Sequence, residues 1–245
     1  EQFKLPIAMP KETYAERSDY PTLQVSQSAN TVVVSSPKVR FVFDEASGMV
    51  TSYQVDGKEY FDKGFGIQPN FWRGPNDNDY GNGMPHRLQV WKQSSKDFNV
   101  TDTKFHTDGN QVVVEATYLL AAGNLYTVKY TLRPSGVLGV DVEFLSTEIE
   151  ENKVAASEAT LTATFSPEAS AARKASSALN VPRIGVRFRL PVSMNNVEYY
   201  GRGPGENYVD RASGSKVGLY EATAEEMYFP YTRPQENGHR SDTRW

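Results

Sequence analysis

The side chains best suited to chemistry lie in the run FWRGPNDNDYGNG at positions 71–83. Four consecutive residues carry side-chain oxygens: Asn76, Asp77, Asn78 and Asp79. Such oxygens can bind sugar hydroxyls, coordinate a cation, or cap the backbone N–H groups of a tight loop. Phe71 and Trp72 come just before, and large apolar rings ahead of a turn indicate that the loop is anchored to a core. Arg73 adds a guanidinium to the same segment. We therefore interpret the run 71–83 as a fixed polar loop.

The run does not fit the calcium loop of an EF-hand. Asp77 and Asp79 match the first two ligand positions of that loop. An acid or amide, a glycine and a glutamate are required next, and the chain instead has Gly81, Asn82 and Leu88. Capping of backbone groups is therefore favoured over metal binding, and recognition of hydroxyls ranks between the two.

Two later segments, 206–211 and 235–240, repeat one set of chemical groups, namely carboxylate, amide and guanidinium. The residues concerned are Glu206, Asn207, Arg211, Glu236, Asn237 and Arg240. Together these groups can hold a sugar by paired hydrogen bonds, or brace two loops against each other. Internal bracing is the favoured interpretation for at least one of the two segments.

The spacing of the acids does not indicate a catalytic pair. Retaining glycoside hydrolysis needs two carboxyls about 5–5.5 Å apart. The candidates by residue type alone are Glu206, Glu236, Asp77 and Asp79. Of the three histidines, His86 and His239 lie near the polar loops, whereas His106 is expected in a polar turn without a functional role.

The glycine-rich run 201–208, GRGPGENY, is not a phosphate-binding loop. The dinucleotide fingerprint requires a glycine where Glu206 stands, and no Gly-Lys-Ser/Thr follows. We expect the glycines to form a tight turn beside Tyr199 and Tyr200.

Whole-chain composition excludes several function classes. The 245 residues carry a net charge of −4, which gives no reason to expect nucleic acid or an anionic membrane surface as a partner. There is no cysteine, so disulfides, cysteine-ligated zinc and a thiol nucleophile are absent. No apolar run approaches the roughly 18 residues of a membrane span. The cellular compartment stays open.

Many short segments with alternating apolar residues predict an all-β fold with little helix. The predicted strands are 32–34, 39–43, 49–55, 58–61, 112–118, a hairpin over 125–144, 159–165, 184–190, 197–200 and 217–220. Asp56-Gly57 predicts a two-residue hairpin turn, and Arg133–Gly136 a type I turn. Short helical segments are expected at 84–93 and at the capping box Thr223–Glu226. The Ser/Ala-rich segment 166–178 is either a short helix with Ser166 as its N-cap or a mobile loop. The pattern is typical of a large, twisted antiparallel β-sandwich. We predict one domain over 31–245, preceded by a linker over 1–30.

Three phrases then add up to a resemblance. FWRGPNDND at 71–79 resembles FxRAPxDND, GRGPGENYVDR at 201–211 resembles GxGPxENYxDR, and YFPYTRPQENGHRSDTRW at 228–245 resembles MYxPYxxPxENGxRxxxRW. In this order they resemble the C-terminal small-chain domain of family 2 β-galactosidases, from about Leu23 to Trp245. Gly74 replaces the usual alanine, and a Ser/Ala-rich insert precedes residue 182.

The resemblance implies a supersandwich fold related to galactose mutarotases. It also implies that the catalytic glutamates lie on a TIM barrel elsewhere in a longer parent chain, so that this fragment has no catalytic residue of its own. The barrel would be its partner and a galactoside the substrate of the full enzyme. The magnesium and sodium ions of the family lie mostly outside this domain, so no metal or other cofactor is expected here.

The candidate residues would then line the sugar site or brace the loops that face it: Arg73, Asn76, Asp77, Asn78, Asp79, Glu206, Asn207, Arg211, Glu236, Asn237 and Arg240. Two alternatives stay open. One is an autonomous aldose epimerase, which needs His86 or His239 beside a carboxylate in one pocket. The other is a free-standing carbohydrate-binding module.

Overall fold

A computed structural model describes residues 19–145 and 180–244. The chain divides into two compact units, and each is described by itself. The sandwich unit comprises residues 19–73, 84–145 and 180–189, and the loop unit comprises residues 74–83 and 190–244. The strand predicted at 159–165 and the helix or loop expected over 166–178 lie outside the described residues. The single domain over 31–245 stays a prediction.

The first sheet of the sandwich unit has five antiparallel strands in sequence order. They are β1 (Gln24–Ser28), β2 (Thr31–Ser35), β3 (Val39–Asp44), β4 (Met49–Val55) and β5 (Lys58–Glu59). Residues 24–28, which the sequence places in the linker, thus form an edge strand. The turn between β4 and β5 has positive φ at both central residues, 50° at Asp56 and 77° at Gly57. This is what a type I′ hairpin requires, and it confirms the predicted turn.

The second sheet has four antiparallel strands in the order β10-β9-β8-β7. Their bounds, with those of the short strand that precedes them, are β6 (Gln68–Asn70), β7 (Phe98–Asp108), β8 (Gln111–Leu120), β9 (Leu125–Leu132) and β10 (Leu138–Leu145). β6 pairs with β11 (Gly185–Arg187), which is shorter than the strand predicted at 184–190. The turn between β9 and β10 is closed by the N–H of Gly136 donating to the carbonyl of Arg133 at 2.9 Å, as predicted.

Strand β7 corrects one prediction. His106 lies within this strand, paired with Val113, and not in a turn. Thr101 is a bulge in β7, since the register shifts between Val100 and Asp102. A bulge breaks the alternation of faces, which explains why the sequence pattern did not reveal the strand.

Alternate residues of the two sheets form one core, which confirms the predicted all-β sandwich. The fully buried members include Val32, Val34, Phe41, Phe43, Val114, Tyr118, Val128 and Tyr130. Tyr130 of β9 packs against Phe41 and Phe43 of β3, with ring centroids 6.0 and 6.1 Å apart. The hydroxyl of Tyr118 donates to the carbonyl of Gly48, at the turn between β3 and β4. These contacts join the two sheets.

Little of the described part of the chain is helical. Its α-helices are α1 (Asp77–Gly81) in the loop unit, and α2 (Met84–Arg87) and α3 (Gln89–Ser94) in the sandwich unit. The predicted helix over 84–93 is therefore present but breaks at Leu88, where ψ is 15°. Leu88 and Trp91 share a buried face, as predicted. None of the helices in the described ranges is long and apolar enough to cross a membrane.

Phe71, at the start of the run 71–83, is packed in the core of the sandwich unit, as predicted. Its ring is fully buried and lies 4.9 Å from Tyr126 in an edge-on arrangement and 6.0 Å from Trp91. Trp72 packs partly buried against the same core.

The loop unit contains a single hairpin, β12 (Asn196–Gly203) with β13 (Lys216–Thr223), among its described residues. The predicted capping box forms after β13, where the carboxylate of Glu226 accepts from the N–H of Thr223 at 2.8 Å. Residues 241–244 run along β12, since Arg202 donates to Ser241 and Arg244 to Tyr200 through their backbones, at 3.0 and 2.8 Å.

The buried tyrosines predict how stability depends on pH. Burial raises the pKa of Tyr118, Tyr126 and Tyr130, and it raises the pKa of Tyr53 to about 12, with Tyr60 adding to the effect. Their native forms therefore hold protons that the unfolded chain releases. The stabilisation is full below about pH 10 and is lost as the pH rises towards the native pKa values, by about 1.4 kcal/mol per pH unit for each group.

Tyr130→Phe keeps the ring packing and removes one of these groups. We expect the free energy of unfolding to fall less steeply with pH above about pH 10, by about 1.4 kcal/mol per pH unit, because one titrating group is removed. Urea denaturation at each pH measures this slope. An unchanged slope in this variant would contradict the assignment.

Candidate functional site

The segment predicted as a polar loop begins with a capped helix. Asn76 is the N-cap of α1, and its side-chain oxygen accepts from the N–H of Asp79 at 2.9 Å. The carboxylate of Asp79 accepts from the N–H of Asn76 at 2.9 Å. This reciprocal pair is a capping box, so the favoured interpretation of backbone capping is confirmed. The sequence did not predict the helical turn, because an aspartate stands where the usual box has Glu or Gln.

α1 is tied to the segment around residue 234 in the same unit. The N–H of Asp77 donates to the carbonyl of Pro234 at 2.8 Å, and Arg233 lies 3.3 Å from the carboxylate of Asp77. Asn78 is the second residue of α1, and its carbonyl accepts from Asn82. Arg73 belongs to the sandwich unit.

Glu206 is the acceptor for three different groups. Its carboxylate accepts from Arg211 at 2.6 Å, from the hydroxyl of Tyr231, and from the N–H of Gly238 at 3.2 Å. Arg211 donates a second bond to the oxygen of Tyr231 at 2.9 Å. The side chain of Glu206 is only 7% exposed, whereas that of Arg211 is 47% exposed. The nearly buried carboxylate of Glu206 therefore fixes the position of a guanidinium that reaches the surface.

Asn207 is fully buried and joins two segments. Its amide nitrogen donates to the carbonyls of Arg202 at 2.8 Å and Gly205 at 3.1 Å. Its side-chain oxygen accepts from both the N–H and the hydroxyl of Ser241. Its backbone N–H donates to the carbonyl of His239 at 2.9 Å. The side chain of Asn207 therefore bonds both the end of β12 and Ser241, and it adds to the backbone bonds between these two segments.

Two candidates from the segment 235–240, Asn237 and Arg240, also contact the backbone of the loop unit. Asn237 pairs with Phe229, accepting from its N–H at 2.9 Å and donating to its carbonyl. Arg240 donates to the carbonyl of Pro204 at 3.3 Å, and its guanidinium lies 5.8 Å from the ring centre of Tyr199. Both side chains therefore brace loops.

The expected glycine turn is wrong for Gly201 and Gly203, which lie in strand β12, whereas Gly205 lies in the bend that follows the strand. A Cβ at Gly201 would lie 2.9 Å from the Cα of Thr243, and one at Gly203 would lie 2.9 Å from the ring of Tyr220. The glycines allow neighbouring chain and ring to approach the strand closely.

A cavity of about 440 Å³ lies within the loop unit. It is lined by Asn76, Tyr208, Asp210, Arg211, Tyr231, Gln235 and Glu236. Asn76, Arg211 and Glu236 were candidates from the sequence, and the structure brings them together. The sequence reasoning missed the two tyrosines, Asp210 and Gln235. Asp210 and Gln235 lie inside the segments 206–211 and 235–240, which repeat one set of chemical groups. Their place in these segments was the signal by which the sequence could have identified them.

Tyr208 is held between two partners at the edge of this cavity. Its ring stacks on His239 with centroids 4.5 Å apart and planes 11° apart, and the guanidinium of Arg211 lies 5.0 Å from its centre. Burial first, and then the carboxylates of Glu236 and Glu206, raise the pKa of Tyr208, whereas Arg211 opposes the shift. The hydroxyl of Tyr208 therefore stays protonated at neutral pH.

The histidines do not meet the requirement of the epimerase alternative. The Nδ1 atom of His239 is 2.7 Å from the carbonyl of Asn207, which makes the ring part of the bracing. His86 is an exposed residue of α2 in the sandwich unit. Neither lines the cavity. In the ranges 19–145 and 180–244, no group of three or more His, Asp or Glu side chains is placed to hold a metal ion.

Asn207→Ala tests the role of the buried amide. The substitution leaves the carbonyls of Arg202 and Gly205 and the N–H of Ser241 without this partner. We therefore expect the free energy of unfolding of the loop unit to fall by about 3 kcal/mol. Amide hydrogen exchange at Ser241 should accelerate accordingly. The control is Asn196→Ala, at an exposed position of β12, which should leave that rate unchanged. Equal exchange rates in both variants would show that the amide does not hold the segments together.

The family model for the β-galactosidase small chain matches residues 35–245. A β-galactosidase of Priestia megaterium is 32% identical over 249 residues, covering 100% of this chain and 21% of that protein. β-Galactosidases of Kluyveromyces lactis and Lactobacillus delbrueckii subsp. bulgaricus are each 29% identical, covering 99% and 84% of this chain and 21% and 18% of their own lengths. The chain therefore spans about a fifth of these relatives, and it belongs to the β-galactosidase small-chain family.

Proposed function

We propose that the chain is the non-catalytic C-terminal domain of a retaining β-galactosidase of glycoside hydrolase family 2. One observation carries the proposal: the chain matches proteins named β-galactosidase along 100% of its length but accounts for 21% of such a protein. The nucleophile and the acid/base would then lie in the remaining four-fifths, on a TIM barrel. The substrate of the whole enzyme would be a terminal β-D-galactoside.

The contacts of the acids support a non-catalytic role. A retaining enzyme needs one carboxyl that can donate a proton and one that can attack the sugar. Glu206 instead accepts from three groups of its own unit. Asp79 is used in the capping box, and Asp77 contacts Arg233. These contacts assign the carboxylates structural roles, and both oxygens of Glu206 accept hydrogen bonds from its own unit.

In the parent enzyme, the chain would pack against the barrel and wall off one side of the sugar site. The loop unit supplies the polar segments for this role, with Asn76, Arg211 and Glu236 at one cavity. Asn207, Asn237 and Arg240 would brace these loops, and the role of Arg73 stays a prediction from the sequence. The magnesium and sodium ions of the family would be held outside this chain.

The proposal predicts where activity resides. We expect the chain alone to give no hydrolysis of o-nitrophenyl β-D-galactoside above buffer, because it lacks the two catalytic glutamates. The full-length protein should hydrolyse it, and NMR should detect the β-anomer of galactose as the first product. Turnover by the chain alone that one carboxylate substitution abolishes would contradict the non-catalytic role, and an inactive full-length protein would contradict the assignment as a β-galactosidase.

Acid substitutions in the full-length protein separate lining from catalysis. We expect Asp210→Asn and Glu236→Gln to lower kcat by less than about a hundredfold, since removal of a true catalytic group costs more than about 10⁴-fold. Asp141→Asn, at an exposed position of β10, is the matched control. A loss of 10⁴-fold or more in either cavity variant, with the fold intact by circular dichroism, would place a catalytic acid on this chain.

A further inference from the structure

We propose that the cavity of the loop unit is a binding site for one neutral pyranose sugar, which this chain holds by itself. The cavity has a volume of about 440 Å³, within the range of small-molecule sites. All of its lining residues belong to the loop unit. Its shape therefore depends on the internal contacts of that unit and not on the missing barrel.

The lining offers both halves of the hydrogen bonds that a sugar requires. Asp210 and Glu236 supply acceptors, Arg211 and the NH₂ group of Asn76 supply donors, and the amide of Gln235 supplies both. A pyranose hydroxyl donates one bond and accepts others, so it uses such a mixture fully. Tyr208 and Tyr231 complete the lining. Because His239 and Arg211 lie against the ring of Tyr208, the polar groups carry the recognition.

The charges favour a neutral ligand over an anion. Arg211 is the cation of the lining, and Glu206 already pairs with it at 2.6 Å. The carboxylates of Asp210 and Glu236 face the same cavity and would repel an anion. The donors contributed by Asn76 and Gln235 would in turn be wasted on a simple cation, which accepts no hydrogen bond.

Arg211 and Tyr208 are held in place before any ligand arrives. Two bonds fix the guanidinium, to Glu206 at 2.6 Å and to Tyr231 at 2.9 Å. Tyr208 lies between that guanidinium and His239. A site with preset side chains avoids part of the ordering cost of binding, which is large relative to the small contact area of a monosaccharide.

The inference rests on the proposed function only in its choice of galactose among the sugars. Isothermal titration calorimetry of the 245-residue chain with D-galactose should give a dissociation constant on the order of 1 mM, as expected for a ligand of about twelve heavy atoms. D-Galacturonate should bind more weakly because of the two carboxylates. Tetramethylammonium should not bind.

Two cavity variants locate the binding. Asp210→Asn and Gln235→Ala change exposed residues and should each weaken galactose binding about tenfold through lost hydrogen bonds. Asp141→Asn on β10 should leave the affinity as it is. Circular dichroism melts report whether each variant is folded. If Asp210→Asn does not fold, Gln235→Ala provides the test.

Several results would overturn the inference. One is the absence of any heat of binding at galactose concentrations up to about 50 times the expected dissociation constant. Another is an affinity for galactose that is unchanged in both cavity variants. A third is binding of tetramethylammonium without binding of galactose. Any of them leaves the proposed function intact if the full-length protein still hydrolyses the galactoside. Conversely, galactose binding by the chain together with an inactive full-length protein would refute the proposed function and keep the inference.

Discussion

The buried amide of Asn207 is the interaction on which the geometry of the loop unit depends. Among the described hydrophobic side chains of this unit, Tyr199 alone is buried, so there is little apolar burial to hold the segments in place. Hydrogen bonds that Asn207 donates to the end of β12 and accepts from Ser241 take over this role. A buried polar network stabilises one arrangement only if every member is satisfied, because an unpaired group costs more than a formed bond contributes. The loops are consequently fixed by polar contacts of defined direction.

The sandwich unit is instead held together by the burial of apolar side chains, which is why much of it could be predicted from the sequence. The hairpin of β9 and β10 was predicted with its turn because Tyr126, Val128 and Tyr130 alternate with polar residues, and burial selects that period. Strands β1 and β7 were not predicted. Both are edge strands, mostly exposed along their length. In β1 only Val25 packs against the core. In β7 the bulge at Thr101 interrupts the alternation between Val100 and Phe105, so neither strand has a continuous apolar pattern.

For the candidate site, the sequence could predict the chemical groups but not their partners. Asn76 and Asp79 cap one helix within four residues, and this local contact was within reach of pattern reasoning. The contact between Asp77 and Arg233 spans 156 positions, and Glu206 meets Gly238 across 32. Such distances are closed only by the fold. The cavity shows the same limit, because its tyrosines look like ordinary core aromatics in the sequence.

The same bracing decides what the polar groups are able to do. A general acid must release its proton during the reaction, and a nucleophile must have a free lone pair directed at the sugar. Glu206 meets neither condition, since three donors occupy it and it is nearly excluded from solvent. The contact that removes Glu206 from chemistry nevertheless fixes Arg211 at the cavity. Rigid donors and acceptors suit the binding of a polyhydroxylated ligand, which requires position rather than proton transfer. A domain of this construction can hold or border a sugar, while bond cleavage has to come from acids that are not used to maintain a fold.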